Sequence, residues 1–218
     1  HGTACAEIVY DIAPQAQLFL AKERNILELQ NAVNWAISQN VDIISYSKRA
    51  GFTESPGDGT GFFSDLVQSA RDAGILWIKS SGNYRAEHWG GTYRSGSEAN
   101  FHYWSTNQNI NYFGPGNGKV YVIPSGELIE GYLRWDDWTT VNQDYMLKLY
   151  RNDGDGWRFV KSVDNTQSGL PGQRPAEELF YITTGGKAAY GFVIERKNSN
   201  RNVNFEFSRV LSIVGTRR

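Results

Sequence analysis

The chain has little cysteine, little histidine and no excess of charge of either sign: of 218 residues one is Cys and three are His, and the formal net charge is -1. One cysteine, Cys5, excludes an internal disulfide framework and leaves the redox compartment open. His88 and His102 have no Cys or His at metal-ligand spacing, so both read as loop residues. With both signs interspersed there is no basic stripe for nucleic acid and no polybasic patch for an anionic membrane, and neither partner is expected. No apolar run approaches the ~20 residues of a spanning helix, and no signal peptide is visible. Aromatic residues are present at 14%, with much of the Trp and Tyr beyond residue 100, which suits a β-rich domain with broad packing surfaces. The change of character near residue 100 favours two domains over one.

Along the first hundred residues the apolar period is mainly helical. Ala4, Cys5, Ala6, Ile8 and Val9 are small or apolar almost all round, which predicts a helix packed inside a domain and stopped by Pro14. Gln17 to Ala21 reads as a short buried strand. Leu27, Leu29, Ala32, Val33, Ala36 and Ile37 then recur at helical spacing, and Val41 to Ser45 returns as strand. A Gly-rich loop from Gly51 to Gly61 leads to a helix with Phe63, Leu66, Val67 and Ala70 on one face, ending near Gly74 before the strand Ile75 to Ile78. Strands alternating with helices predict a parallel sheet with right-handed crossovers, and functional groups at its carboxyl edge. Ser45-Tyr46-Ser47 and Ser80-Ser81-Gly82-Asn83 end two successive strands, so their loops are expected side by side.

The tripeptides bounding this run carry a resemblance. His1-Gly2-Thr3 followed by Ala6, a helix-then-strand pattern from Ala32 to Ser47, and an Ala-x-x-x-Gly-strand-Gly-Asn pattern from Ala70 to Asn83 make residues 1 to 90 similar to the subtilisin-like serine proteases, peptidase family S8. The resemblance implies that His1 is the general base that takes a proton from a serine hydroxyl, an effect of roughly 10²–10⁴-fold. It implies that Asn83 donates its amide to the oxyanion of the tetrahedral intermediate, with Gly82 leaving room for the substrate carbonyl. Ser47 and Ser81 then line the cleft in which a polypeptide substrate pairs as an added strand. An extracellular or cell-surface location is implied as well. No Asp-[Ser/Thr]-Gly precedes His1 and no Gly-Thr-Ser-x-Ala follows, so the chain reads as a protease fragment that is inactive alone.

Several residues depart from that family's pattern. Lys48 and Arg49 stand where Leu-Gly is usual, either as solvated cations or as a preference for acidic side chains near the scissile bond. Ala4 and Glu7 replace the common His and Gly, and Glu7 in a buried helix needs a partner or an exposed edge. Cys5, one turn after His1, lies beneath the imidazole in this reading and packs as a small hydrophobe.

Beyond residue 100 the pattern alternates. Lys119 to Ile123, Leu128 to Trp135, Tyr145 to Arg151, Trp157 to Val163, Leu179 to Thr183, Ala188 to Glu195 and Val203 to Phe207 read as about seven strands, which predicts an antiparallel sandwich or jelly roll. Asn152-Asp153-Gly154-Asp155-Gly156 is first a hairpin turn, with calcium the alternative and the one cofactor the sequence invites. Trp135-Asp136-Asp137-Trp138 is either core tryptophan at a strand end or an aromatic, acidic face for a sugar or peptide. Leu211 to Thr216 is either the last sandwich strand or a return strand to the protease domain.

The expected fold class is therefore α/β: a partial parallel-sheet subtilisin-like half-domain over 1–98, then an antiparallel, jelly-roll-like β-sandwich over 99–209, and a return strand in 210–218. The expected function is a segment of a serine endopeptidase. The alternative is a non-catalytic binding or adhesion protein that uses the sandwich to bind polypeptide or saccharide, motivated by Glu7, Lys48 and Arg49. Nothing in the sequence bears on oligomeric state.

Overall fold

The computed structural model describes residues 1–48, 53–82, 87–115 and 118–212. The chain divides into two compact units, His1–Asn83 and Tyr84–Arg218.

The first unit contains α1 (Gly2–Ile12), α2 (Ile26–Ser38), β1 (Ile43–Tyr46), α3 (Phe62–Asp72) and β2 (Leu76–Lys79). Asn25 begins α2: its side chain accepts from Glu28 N at 2.9 Å, while Glu28 Oε2 accepts from Arg24 N at 2.8 Å, satisfying two amide groups at the helix start. Leu29, Val33 and Ala36 then fall on one buried face. Leu66 and Ala70 do the same for α3, which ends as Gly74 N and Ile75 N donate back to Arg71 O and Ala70 O. These faces share a core with Ile75, and Ile44, Tyr46 and Trp77 pack against it. β1 and β2 pair in parallel, Ile43 with Leu76 through Tyr46 with Lys79.

The second unit holds β3 (His88–Thr92), β4 (Asn111–Tyr112), β5 (Leu128–Trp135), β6 (Asp144–Asn152), β7 (Arg158–Val163), β8 (Ala176–Ile182), β9 (Ala189–Asn198) and β10 (Asn204–Ser212). They form two four-stranded antiparallel sheets in the orders β3-β10-β5-β8 and β4-β9-β6-β7. This interleaving is that of a jelly roll. β5 alternates strictly, with Ile129, Leu133 and Trp135 inward and Glu130, Tyr132 and Arg134 less buried, as a strand with one face on a core requires. Tyr145, Leu147 and Leu149 from β6, Tyr190, Phe192 and Ile194 from β9, and Phe205 and Phe207 from β10 fill the space between the sheets. Phe192 meets Phe207 at 5.2 Å and Tyr145 meets Phe205 at 4.9 Å between ring centroids, both edge to face. Each fully buried Leu of this set contributes roughly 1.5–3 kcal/mol relative to exposure.

The α/β fold class expected from the sequence is overturned. Among the described residues the strands are mostly antiparallel, and the parallel component is the single pair β1–β2 rather than a subtilisin half-domain. The physical reason lies in coverage. A parallel sheet is stable when buried on both faces, whereas here Ile43, Leu76 and Ile78 lie exposed, opposite Ile44 and Trp77. With no second layer, α1 buries none of its residues, and Leu18, Phe19 and Leu20 are exposed in irregular backbone where a buried strand was expected. In the second unit, Val120, Tyr121 and Val122 are exposed and form no strand; Ile123 makes an isolated bridge to Ala188. Leu211 and Ser212 end β10, paired with β5, and residues 213–218 lie outside the described residues.

Candidate functional site

The carboxyl ends of β1 and β2 are held together by their register, which continues one step as Ser80 N donates to Tyr46 O at 3.4 Å. Ser47 and the Ser81-Gly82 pair thus leave adjacent strand ends, all three exposed. Gly82 turns there with φ of 84°, a conformation that favours glycine. Asn83 and Arg49 lie outside the described residues.

His1 stands at the N-terminus of α1 as an exposed residue, with Nδ1 3.5 Å from the Sγ of half-buried Cys5. The thiol and imidazole are therefore neighbours, as one helical turn of spacing dictates. Among the described residues no hydrogen bond or ion pair joins His1 to Ser47, Ser81 or Gly82. Glu7 sits on the exposed surface of the same helix and has no buried charge to compensate.

Lys48 is engaged rather than open. Its Nζ lies 2.7 Å from Glu23 Oε1 and 3.3 Å from Glu23 O, and the Tyr46 hydroxyl donates to the same carboxylate at 3.3 Å. Burial, reinforced by Glu23, pushes the Tyr46 phenol up to about 12, so it remains a neutral donor. The Glu23 carboxylate thus offsets the charge of Lys48 as a receptor for acidic side chains.

In the second unit, the Asn152–Gly156 loop is the β6–β7 hairpin. Asn152 Oδ1 accepts from Gly154 N at 2.8 Å, and Arg158 lies 3.0 Å from both Asp153 and Asp155, taking the place a cation would need. Among the described residues no group of three His, Cys, Asp or Glu could hold a metal ion. Trp135 is buried with its indole N–H donating to Gln143 O at 2.9 Å, so it offers no face to a ligand. Asp137 is buried too, accepting from Asn142 N and Gln143 N at 2.6 and 2.8 Å.

Two histidines read as loop residues are placed differently. His88 lies on β3, 3.6 Å from Glu206. His102 is completely buried among Trp89, Tyr93, Trp104 and Phe205, with Nδ1 accepting from Arg94 N at 3.1 Å. Burial, with Arg94 nearby, lowers its pKa to about 4. Glu177 is equally buried, and burial raises its carboxyl to about 7 although Asn165 and Gln167 donate to it. Neither has a local motif. Only non-local pairing encloses each of them, the Ser95 bridge for His102 and the β5–β8 ladder for Glu177.

Compared with known proteins, the chain matches no family model and no curated protein. Among solved structures it aligns with the Yersinia pseudotuberculosis-derived mitogen at 21% identity, over 60% of this chain and 87% of that one, with a TM-score of 0.35. It aligns with a chain of the broad bean stain virus at 11% identity, over 63% and 90%, with a TM-score of 0.29. A third alignment, to the β-glucosidase DesR from Streptomyces venezuelae in complex with D-glucose, has 11% identity over 90% of this chain and 26% of that one, with a TM-score of 0.28. Likenesses at this level carry no argument about fold or function. Among the described residues no helix is long and apolar enough to cross a membrane.

Proposed function

We propose that the chain is a segment of a subtilisin-like serine endopeptidase acting on polypeptides outside the cell or at its surface, with no nucleic-acid partner. His1 is the general base, Asn83 the oxyanion donor, and Ser47, Ser81 and Gly82 line the substrate cleft. The observation that carries this reading is the order His1-Gly2-Thr3, Ser47, Ser81-Gly82-Asn83 along the sequence, joined to a β1–β2 register that sets the ends of Ser47 and Ser81 side by side. Recognition of an extended peptide as an added strand is the mode this reading requires of the site. The 218 residues contain no Gly-Thr-Ser-x-Ala nucleophile segment, and loss of a nucleophile leaves at most the residual catalysis of binding and oxyanion contacts. The isolated chain is therefore expected to be inactive.

The test is fluorophosphonate labelling. The 218-residue chain should take no label, and a longer product of the same gene should label in a manner lost on His1→Ala. Labelling indifferent to His1→Ala, or none in a folded longer product, removes the reading.

A further inference from the structure

Glu177 is wholly buried on β8, paired with Leu133 of β5, and its carboxyl meets the connection that runs from β7 to β8, residues 164–175. Three donors of that connection converge on it. Asn165 N at 2.8 Å and Gln167 Nε2 at 3.4 Å reach Oε1, and Asn165 Nδ2 at 2.7 Å reaches Oε2. Gln167, itself buried, also donates its main-chain N–H to Asp144 of β6 at 3.4 Å. Gln173 ties the connection to itself, donating to Thr166 O at 2.6 Å and accepting from Ser168 N and Leu170 N at 2.9 and 2.8 Å, so residues 166–173 hold together as one piece. We propose that this connection is a proton-operated strap, closed over Glu177 while the carboxyl is protonated and opened to water when it ionises.

Two features favour opening. The first is charge, because a carboxylate sealed from water is unfavourable and a like charge nearby makes it more so. Asp164 acts on Glu177 from the connection, and Asp144 meets the same Gln167 from β6. Lys197 of β9 stands 3.6 Å from Asp164, and the β5 residue opposite Glu177 is the apolar Leu133. Burial, with Asp164 adding to it, accordingly holds the Glu177 carboxyl up at about 7. Gln167 Oε1 is buried without a partner on the amide that meets Glu177, and only the protonated acid has a hydrogen to give an acceptor. The second feature is backbone strain. Gly169 N donates to Val141 O at 2.8 Å, and Val141, a β-branched residue, stands there at a φ of 48°. Release of that tether lets Val141 return to the extended region. Opening falls on the connection rather than on β8, because β8 is laddered to β5 from Ala176 to Ile182.

The test is amide hydrogen exchange of the full 218-residue chain from pH 5 to pH 8, corrected for the intrinsic pH dependence of exchange. The closed-state pKa lies above the ordinary 4.5, so the closed form is favoured most below 4.5 and that advantage is lost as pH rises through 7. Opening of residues 165–170 should therefore rise at least about tenfold across the range and level off above pH 7, while β5, β8 and β10 keep their protection. Glu177→Gln should hold the strap closed and remove the rise. Should that variant not fold, Val141→Gly relieves the strain without touching the carboxyl; it should lower opening about threefold at every pH and leave the rise in place. Equal opening of 165–170 at pH 5 and pH 8 overturns the proposal, as does a rise shared equally by β5 and β8. A rise that survives in folded Glu177→Gln, or opening that Val141→Gly does not lower, overturns it too.

Discussion

At the scale of single residues, the second unit contains two titratable groups whose burial opposes each other in pH. Glu177 is pushed up to about 7 by burial, with Asp164 adding to the rise, against hydrogen bonds from Asn165 N and Nδ2 at 2.8 and 2.7 Å. Its folded pKa lies above the ordinary 4.5, so the fold favours the protonated form; that contribution is complete below 4.5 and is lost as pH rises through 7. His102 runs the other way. Its folded pKa of about 4 lies below the ordinary 6.5, so the fold favours the neutral ring, and that contribution is complete above 6.5 and is lost as pH falls through 4. The Arg94 N–H at Nδ1 places the ring proton on Nε2, which has no partner inside the aromatic enclosure. Thermal melts followed by near-UV circular dichroism should therefore give a midpoint that is nearly level between about pH 4.5 and 6.5, where the two contributions offset, and that declines as pH rises from 6.5 toward 7 and as it falls from 4.5 toward 4. Glu177→Gln should flatten the alkaline decline, and His102→Asn the acid one, whatever each does to absolute stability. An alkaline slope in Glu177→Gln equal to that of the parent chain would remove burial of this carboxyl as its cause.

At the scale of elements, the sheet-to-sheet spacing is set at one position of β5. Gly131 faces inward between Ile129 and Leu133, and any side chain there would drive into the ring of Phe192 from the opposite sheet. Gly131→Val keeps the strand propensity yet overpacks the interface, and should destabilise the second unit by about 1–3 kcal/mol in urea unfolding followed by tryptophan emission. A change under about 0.5 kcal/mol would mean the sheets part without cost, contrary to the packing described. Elements of this kind were legible in the sequence: Leu128 to Trp135 alternates over its full length and is β5 residue for residue, and β6, β7, β9 and β10 overlap the segments read from alternation. Ala176 to Glu178 was missed at the start of β8 because Glu177-Glu178 breaks the apolar period, although Glu177 points inward. Lys119 to Ile123 misled for the opposite reason. Its β-branched and aromatic residues fit a strand, yet the segment forms isolated bridges at Lys119 and Ile123 in place of a ladder, and propensity without a partner strand does not make one. For the candidate sites, local pattern found Ser47 and Ser81 at their strand ends. The burial of His102 and Glu177 stayed hidden because it arises from non-local pairing: His102 bridges Ser95 and Glu177 pairs with Leu133.

At the scale of the whole molecule, the two units differ in how well each satisfies its own hydrophobic surface. Helix and strand periods located α2, α3, β1 and β2, yet the parallel layer inferred from their alternation does not follow: alternation specifies elements, and the sheet additionally needs neighbours on both edges and a cover on both faces. The first unit thus presents Ile8, Ile12, Leu20, Ile43, Leu76 and Ile78 to solvent. The second unit closes its core with the aromatic and aliphatic residues of both sheets, and at about 135 residues it is within the size range in which one core sustains a domain. A chain limited to Tyr84–Arg218 should therefore unfold in one cooperative transition, with buried-tryptophan emission retained in the native state. His1–Asn83 alone should bind 8-anilinonaphthalene-1-sulfonate strongly and show no cooperative melt, because the apolar surface it exposes exceeds what a small core of Leu29, Val33, Leu66, Ala70 and Ile75 offsets. Replacing Ile43 and Leu76 with Lys should lower that dye binding while leaving the parallel pair intact. A cooperative melt of His1–Asn83 without dye binding would show that the exposed face costs the unit nothing, and the uneven division of stability between the two units would then be wrong.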